Sequence, residues 1–75
     1  MNLDRKFLAQ HVETLRKARG MTPEVLAERS ELPVDTIRGI ERATVSLSLT
    51  ELEKLCKGLE LQVSTFLEAM ESSEP

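Results

Sequence analysis

Few side chains in this sequence are of a type that performs catalysis or binds a metal. The 75 residues include one histidine, His11, and one cysteine, Cys56. No Cys/His pair stands at the spacing of a zinc site, and a single cysteine cannot form a disulfide within the chain. Carboxylates are plentiful, but there is no Gly-rich phosphate loop and no Ser/His/Asp set at plausible spacing. We therefore expect no catalytic residue, no metal, no cofactor and no enzymatic activity, and no site for a small-molecule ligand is evident.

Both unusual side chains have an ordinary structural explanation. His11 lies just off the apolar stripe of the first predicted helix, so we expect a boundary position without a chemical role. Cys56 falls on the apolar face of a later predicted helix. A redox-active thiol needs exposure and a positive neighbourhood, so this position favours a buried, unreactive cysteine.

The segment from Thr22 to Arg42, TPEVLAERSELPVDTIRGIER, is the most informative part of the chain. Thr22 is a good N-cap and Pro23 suits the first position of a helix over about 23–30. A second short helix is predicted over about 34–42. Two short helices joined by a tight turn form the arrangement that sets one helix into the major groove of DNA.

The remaining apolar spacing predicts three further helices, so the fold class is all-α. They cover about 3–19, 49–59 and 65–70, the second opened by the capping-box sequence Ser48-Leu49-Thr50-Glu51 and the third capped by Ser64. We expect one domain over residues 1–70 and a frayed polar tail over 71–75. The sequence has no apolar run long enough for a membrane span and no signal-peptide pattern at its start, so a cytoplasmic location is expected.

Several short motifs are shared with a known family. They are Leu15-Arg16, Gly20-Met21-Thr22, Leu26-Ala27, Ile37, Ile40-Glu41-Arg42 and Gly58-Leu59-Glu60-Leu61. From about residue 12 to residue 67 the chain resembles the phage-repressor helix-turn-helix family, the lambda-repressor, Cro-like or XRE proteins. Within that family, the sequence most resembles the controller proteins of restriction–modification systems. The resemblance implies a compact five-helix lambda-repressor-like domain that binds duplex DNA as a homodimer on a short inverted repeat and regulates transcription.

The resemblance also assigns roles to positions in this chain. Arg16 and Glu41 match a partly buried ion pair that ties the first helix to the third, the alternative being two solvated charges. The positions implied in DNA binding are Val34, Asp35, Thr36, Arg38, Gly39, Arg42, Thr44 and Ser46. The positions implied in the dimer contact are Leu61, Val63, Phe66, Leu67 and Met70. These last residues could instead close the core of the monomer, and we expect some of them to do each.

Base-edge chemistry ranks the positions on the third helix. Thr36 and Arg38 are the best candidates for polar contact, since arginine pairs well with guanine. Val34 suits a thymine methyl group, and Asp35 could accept from a cytosine amino group but repels phosphates. Gly39 offers only close approach. Arg42, Thr44 and Ser46 are expected to hold the DNA backbone.

The chain departs from the family pattern at four places. Pro23 replaces a glutamine that contacts phosphate, Pro33 replaces a Ser or Thr cap, and Glu31 and Ala43 replace glycines. Glu31 must accept a left-handed conformation or let the turn rearrange.

The charge is also unusual for a DNA-binding domain. The net charge is −3, and residues 22–47 hold three bases and five acids. A protein-interaction module on the same scaffold, an antitoxin or adaptor with weak or no DNA binding, therefore stays open as the alternative.

Overall fold

The computed structural model describes residues 5–72, and the predicted starting residue of the first helix, Leu3, lies outside them. This part of the chain forms five helices and no strand. They are α1 (Arg5–Ala18), α2 (Pro23–Ser30), α3 (Val34–Glu41), α4 (Leu49–Gly58) and α5 (Val63–Ser72). α1 packs on α3, α2 packs on both α3 and α4, and α5 packs on α4.

Local capping explains where the helices begin and end. Gly20 takes a positive φ of 66° after α1, and Met21 N–H donates to the carbonyl oxygen of Arg16 at 3.1 Å. This is the left-handed ending that glycine allows without a steric cost. At the start of α4, Ser48 and Glu51 form a complete capping box with bonds of 3.0 and 3.1 Å.

The prediction for the last helix was wrong at both ends. α5 begins at Val63 rather than at residue 65, because Phe66 N–H donates to the carbonyl oxygen of Gln62 at 3.0 Å. Gln62 therefore holds the N-cap position that was predicted for Ser64. The helix also continues to Ser72, so the first two residues of the predicted polar tail are helical. Residues 73–75 lie outside the described part of the chain.

All five helices contribute to one apolar core. Its buried members are Val12, Met21, Leu26, Ala27, Ile37, Ile40, Leu55, Cys56, Leu59, Phe66 and Met70. Helices α2 and α4 approach closely where Ser30 meets Gly58. A Cβ added to Gly58 would lie 2.2 Å from Ser30 Oγ and 3.0 Å from Ser30 N. Only glycine lets these two helices pack this closely.

Within residues 5–72, three residues other than glycine hold left-handed backbone conformations, each just after a helix. They are Glu31 at φ 57°, Ala43 at φ 60° and Glu60 at φ 60°. For Glu31, this confirms the left-handed conformation that the sequence analysis gave as one of two options. Each such residue carries a steric cost of about 1 kcal/mol that glycine would avoid.

Within residues 5–72, no helix is both long and apolar enough to cross a bilayer. The same residues contain no cluster of three or more His, Cys, Asp or Glu side chains able to hold a metal ion.

Candidate nucleic-acid interface

The pair of helices α2 and α3 is set by a short turn. The Thr22 hydroxyl accepts from Val25 N–H at 3.2 Å, with Pro23 in the first turn of α2. At the other end Glu31 turns the chain, and Leu32 N–H donates to the carbonyl oxygen of Ala27 at 3.0 Å. Only residues 31–33 separate α2 from α3, so the two helices are held as one rigid unit.

α3 is anchored by its inner face and open on its outer face. Ile37 and Ile40 are almost fully buried in the core. On the opposite side, Asp35 and Arg42 are exposed, and the Arg38 side chain is 41% exposed. Positions i, i+3 and i+7 of a helix share one face. We call the row formed by Asp35, Arg38 and Arg42 the recognition ridge.

Arg38 has a partner that the sequence analysis missed. Its Nη2 atom donates to Oε2 of Glu24, which lies in the first turn of α2. Both side chains remain open to solvent, at 41% and 59% exposure. The two residues are 14 positions apart, so no helical spacing in the sequence indicates the pair. Its formation depends on how α2 crosses α3.

The other residues predicted to contact DNA are placed less uniformly. Val34 is half-buried and packs against the core, and Thr36 is half-buried beside the recognition ridge. Ser46 is exposed in the loop after α3. Thr44 is also exposed, but its hydroxyl donates to the carbonyl oxygen of Gly39 at 3.2 Å.

The prediction that Gly39 approaches a base is wrong. Gly39 is buried, and a Cβ at this position would lie 2.9 Å from a methyl carbon of Val45. Its carbonyl oxygen accepts both from Thr44 N–H and from the Thr44 hydroxyl. The glycine therefore lets the chain after α3 fold back across the helix, and it faces protein instead of solvent.

Arg16 and Glu41 form a paired, bidentate contact beneath the interface. Arg16 Nε donates to Glu41 Oε2 at 2.8 Å, and Arg16 Nη2 donates to Glu41 Oε1 at 3.0 Å. Arg16 Nη1 also donates to the carbonyl oxygen of Met21 at 2.7 Å. Only 9% and 8% of the two side chains are exposed. The hydrogen bonds that Arg16 donates to the Glu41 carboxylate raise the pKa of Arg16 above its ordinary value.

Two further cations, one on α2 and one on α4, are already paired. Arg29 contacts Glu60 at 3.2 Å, and Lys57 contacts Glu31 at 3.1 Å, in both cases between exposed side chains. Arg42 is exposed, and the described part of the chain offers it no ion-pair partner. Positive charge on the recognition ridge is therefore limited to Arg42 and a partly neutralised Arg38.

The predicted dimer residues divide between core and surface. Phe66 is 0% exposed and Met70 is 2% exposed, so these two side chains close the core of the monomer, as was expected for some of this set, and they leave no surface for a second copy. They fill the space between α5 and the other helices. Leu61, Val63 and Leu67 are half-buried and keep surface available.

A shallow apolar groove lies beside Leu67. Its volume is about 280 Å³. It is lined by Arg5, Leu8, Ser46, Leu47, Leu52, Phe66 and Leu67. Near the groove in sequence, Leu49 opens α4 with 69% of the residue exposed. The exposure of Leu49 was not predicted, although Leu49 is the first residue of α4, next to the Ser48 N-cap.

His11 and Cys56 occupy the structural positions predicted for them. The His11 ring is half-buried and lies 4.9 Å from the Phe66 ring, and burial lowers the pKa of His11. Cys56 is 1% exposed, and burial raises the pKa of its thiol to about 11. A thiol that stays protonated at neutral pH is a poor nucleophile.

Comparison with known families agrees with this geometry. A family model described as a helix-turn-helix domain matches residues 8–68. The chain therefore belongs to the helix-turn-helix family, and its architecture is that of the phage-repressor type. No significant match was found among curated protein sequences.

Comparison with solved structures shows a more specific similarity, to one controller protein. The wild-type restriction–modification controller protein C.Esp1396I is 32% identical, with a TM-score of 0.86 over 96% of this chain and 94% of that one. The same controller protein, crystallised as a tetramer with its natural 35 base-pair operator, is 32% identical with a TM-score of 0.87. That match covers 96% of this chain and 95% of the other. The chain is thus similar over nearly its whole length to a controller protein.

Proposed function

We propose that this protein is a sequence-specific regulator of transcription that binds duplex DNA as a homodimer on a short inverted repeat. The observation that carries the proposal is the recognition ridge, an exposed row on α3 that is presented by a rigid helix-turn-helix unit. The likeness to a controller protein crystallised on its operator supports it. The proposed function involves no catalysis. We propose that the protein acts in the cytoplasm.

The recognition ridge assigns separate tasks to its residues. Arg38 is positioned to contact guanine, and Asp35 to accept from a cytosine amino group. Arg42, which has no ion-pair partner among residues 5–72, is the residue of the ridge that contacts phosphate, which fixes register without reading sequence. Thr36 and Val34 sit at the flank of the ridge, where a hydroxyl and an apolar group can reach base edges. Gly39 has no part in readout because it is buried.

Ser46 and Thr44 complete the proposed contact with the DNA backbone. Both residues are exposed in the loop after α3. The Thr44 hydroxyl donates its proton to Gly39, but its oxygen can still accept through a bridging water. These contacts add affinity that depends little on sequence.

The dimer is proposed to form through the surface left open by α5. Leu61, Val63 and Leu67 are half-buried in the monomer, and the apolar groove lies beside Leu67. A two-fold contact there would place the same residues of both copies together. Two α3 helices about 34 Å apart would then reach successive major grooves on one face of DNA.

Selection of bound duplexes from a random pool tests binding, specificity and half-site spacing together. We expect an inverted repeat with half-sites about one helical turn apart. Fluorescence anisotropy of the selected duplex at about 50 and 200 mM salt should show tighter binding at low salt. Arg38→Ala should weaken binding and relax base selection at one position in each half-site. Lys54→Ala, which removes an exposed cation of α4, should do neither. Failure to enrich any sequence at high protein concentration would end this proposal.

One observation favours a second function on the same scaffold. Glu24 and Asp35 place two carboxylates beside Arg38, so the exposed face is less cationic than DNA binders usually present. A protein-interaction module, such as an antitoxin or an adaptor, would tolerate this charge. Affinity capture in the presence of nuclease separates the two functions. Stoichiometric recovery of one protein without nucleic acid, together with no duplex enrichment, would favour the interaction module.

A further inference from the structure

The ion pair between Glu24 and Arg38 differs from the other long-range pair that touches α3. Arg38 is the only basic residue in α3, and its partner lies on α2. The Arg16–Glu41 pair is more than 90% buried and ties helices together, whereas Glu24 and Arg38 stay open to solvent on the outer face. Exposed ion pairs contribute little to stability. A carboxylate in the first turn of α2 also favours the helix dipole, but this contribution is modest too, so stability alone does not require the contact with Arg38.

The guanidinium geometry leaves Arg38 able to act while it is paired. Within the described residues only Nη2 of Arg38 donates to Glu24. A guanidinium has five N–H donors in a planar fork, so donors remain for a bidentate contact with guanine. A carboxylate on one edge of the fork also restricts its rotation. Glu24 thus limits the directions in which Arg38 can point without consuming its capacity to bind.

The same carboxylate reduces the attraction of Arg38 for phosphates. Non-specific affinity depends on the charge that a protein brings to the DNA backbone, whatever the base sequence. Glu24 offsets the single positive charge of α3, and Asp35 adds a further negative charge three residues before Arg38. Phosphate contact by Arg38 is therefore weakened, while contact with a correctly placed guanine keeps its geometric advantage.

We propose that Glu24 is a specificity-determining residue, which acts through Arg38 by suppressing its binding to phosphates and orienting it toward a base edge. This inference rests on the proposed DNA-binding function. It assigns a positioning role to a residue of α2, the helix that does not enter the groove. It also gives a reason for an acidic residue at a DNA-binding surface.

The test compares Glu24→Gln with wild type on two duplexes, the selected operator and a random sequence of equal length. Glutamine keeps the shape and one acceptor but removes the charge. We expect affinity for the random duplex to rise roughly three- to tenfold, with the slope of log affinity against log salt steeper by about one. Operator affinity should change by less, so the selectivity ratio falls. Glu13→Gln removes a carboxylate from an exposed pair with Lys17 on α1 and should leave the ratio unchanged.

An Arg38→Ala background shows whether Glu24 acts through Arg38. If it does, Glu24→Gln in that background should no longer lower the selectivity ratio. If Glu24→Gln lowers the selectivity ratio equally with and without Arg38, then Glu24 does not act through Arg38 and the proposal is refuted. A selectivity ratio equal to that of wild type in the Glu24→Gln single variant would refute it as well. Thermal unfolding of each variant checks that the fold is intact. If wild-type protein enriches no duplex, the proposed function itself fails and this inference fails with it; if wild type selects an operator and Glu24→Gln keeps its selectivity, only this inference fails.

Discussion

Replacement of Glu41 by glutamine should test the buried ion pair most directly. The variant keeps the size of the side chain but leaves the Arg16 guanidinium without its counter-charge at a site where only 9% of the side chain is exposed. Two charged hydrogen bonds, of 2.8 and 3.0 Å, are weakened or lost. Bonds of this kind contribute about 1.5–3 kcal/mol each.

The expected loss of stability follows from these two bonds and from the hydrogen-bond acceptors that Arg16 keeps in the variant. Breaking a buried pair by removing one partner costs about 3–5 kcal/mol. The Met21 carbonyl oxygen still accepts from Arg16, and glutamine offers one acceptor, so we expect the lower limit, about 3 kcal/mol. For a domain of this size, that corresponds to a fall of about 12–24 °C in the midpoint of thermal unfolding. A small core supplies only about 3–5 kcal/mol in total, so the variant should be near its unfolding midpoint.

Urea unfolding followed by far-UV circular dichroism measures this loss. Protein concentration must be the same for all variants, because dimer formation adds to apparent stability. Glu60→Gln, which removes one member of an exposed pair with Arg29, is the control and should change stability by less than about 0.5 kcal/mol.

A double variant distinguishes the net contribution of the ion pair to stability from the cost of leaving one charge buried without its partner. Arg16→Met with Glu41→Leu removes both charges and keeps similar volume, so no uncompensated charge stays buried. We expect this protein to be about 2 kcal/mol more stable than Glu41→Gln alone, although the Met21 carbonyl loses a donor. The reasoning is refuted if Glu41→Gln costs less than about 1 kcal/mol or if the double variant is the less stable of the two.

Three further predictions concern stability and its pH dependence. Gly58→Ala should lower the free energy of unfolding, measured in urea, by about 1–3 kcal/mol, because the added Cβ meets Ser30 Oγ at 2.2 Å. The loss should be smaller in a Ser30→Ala background, and equal losses in both backgrounds would contradict the steric argument. Because burial lowers the pKa of His11 below its ordinary value of 6.5, the unfolded chain binds the proton more tightly, so stability should be full above pH 6.5 and fall as pH drops below it. His11→Gln should flatten this dependence between pH 8 and pH 5, and an unchanged slope would show that other groups cause it. Glu31→Gly should raise the free energy of unfolding by about 0.5–1 kcal/mol by relieving a φ of 57°, and a loss of stability would show that the exposed bond to Lys57 matters more.

The sequence by itself determined that the chain forms five helices and where α2, α3 and α4 begin. Thr22 with Pro23 indicated the start of α2, and the Ser48-x-x-Glu51 sequence indicated the start of α4, because each cap is made by residues within four positions of one another. The last helix was predicted less well. Ser64 was a plausible cap, but Phe66 N–H donates to the carbonyl oxygen of Gln62, so Gln62 is the N-cap and the helix begins at Val63. A residue with no favourable capping side chain thus holds the position, which side-chain preferences alone did not indicate.

The tertiary structure alone decided which residues of the candidate site face outward and what they contact. Gly39 and Arg38 are adjacent, yet one is buried against Val45 while the other extends into solvent, because Ile37 and Ile40 fix the rotation of α3 on the core. The partner of Arg38 on α2 depends on the crossing of two helices, a relation between residues 14 positions apart. A one-dimensional pattern records which side chains recur on one face of a helix, whereas contacts between helices depend on the angle and depth at which those faces pack.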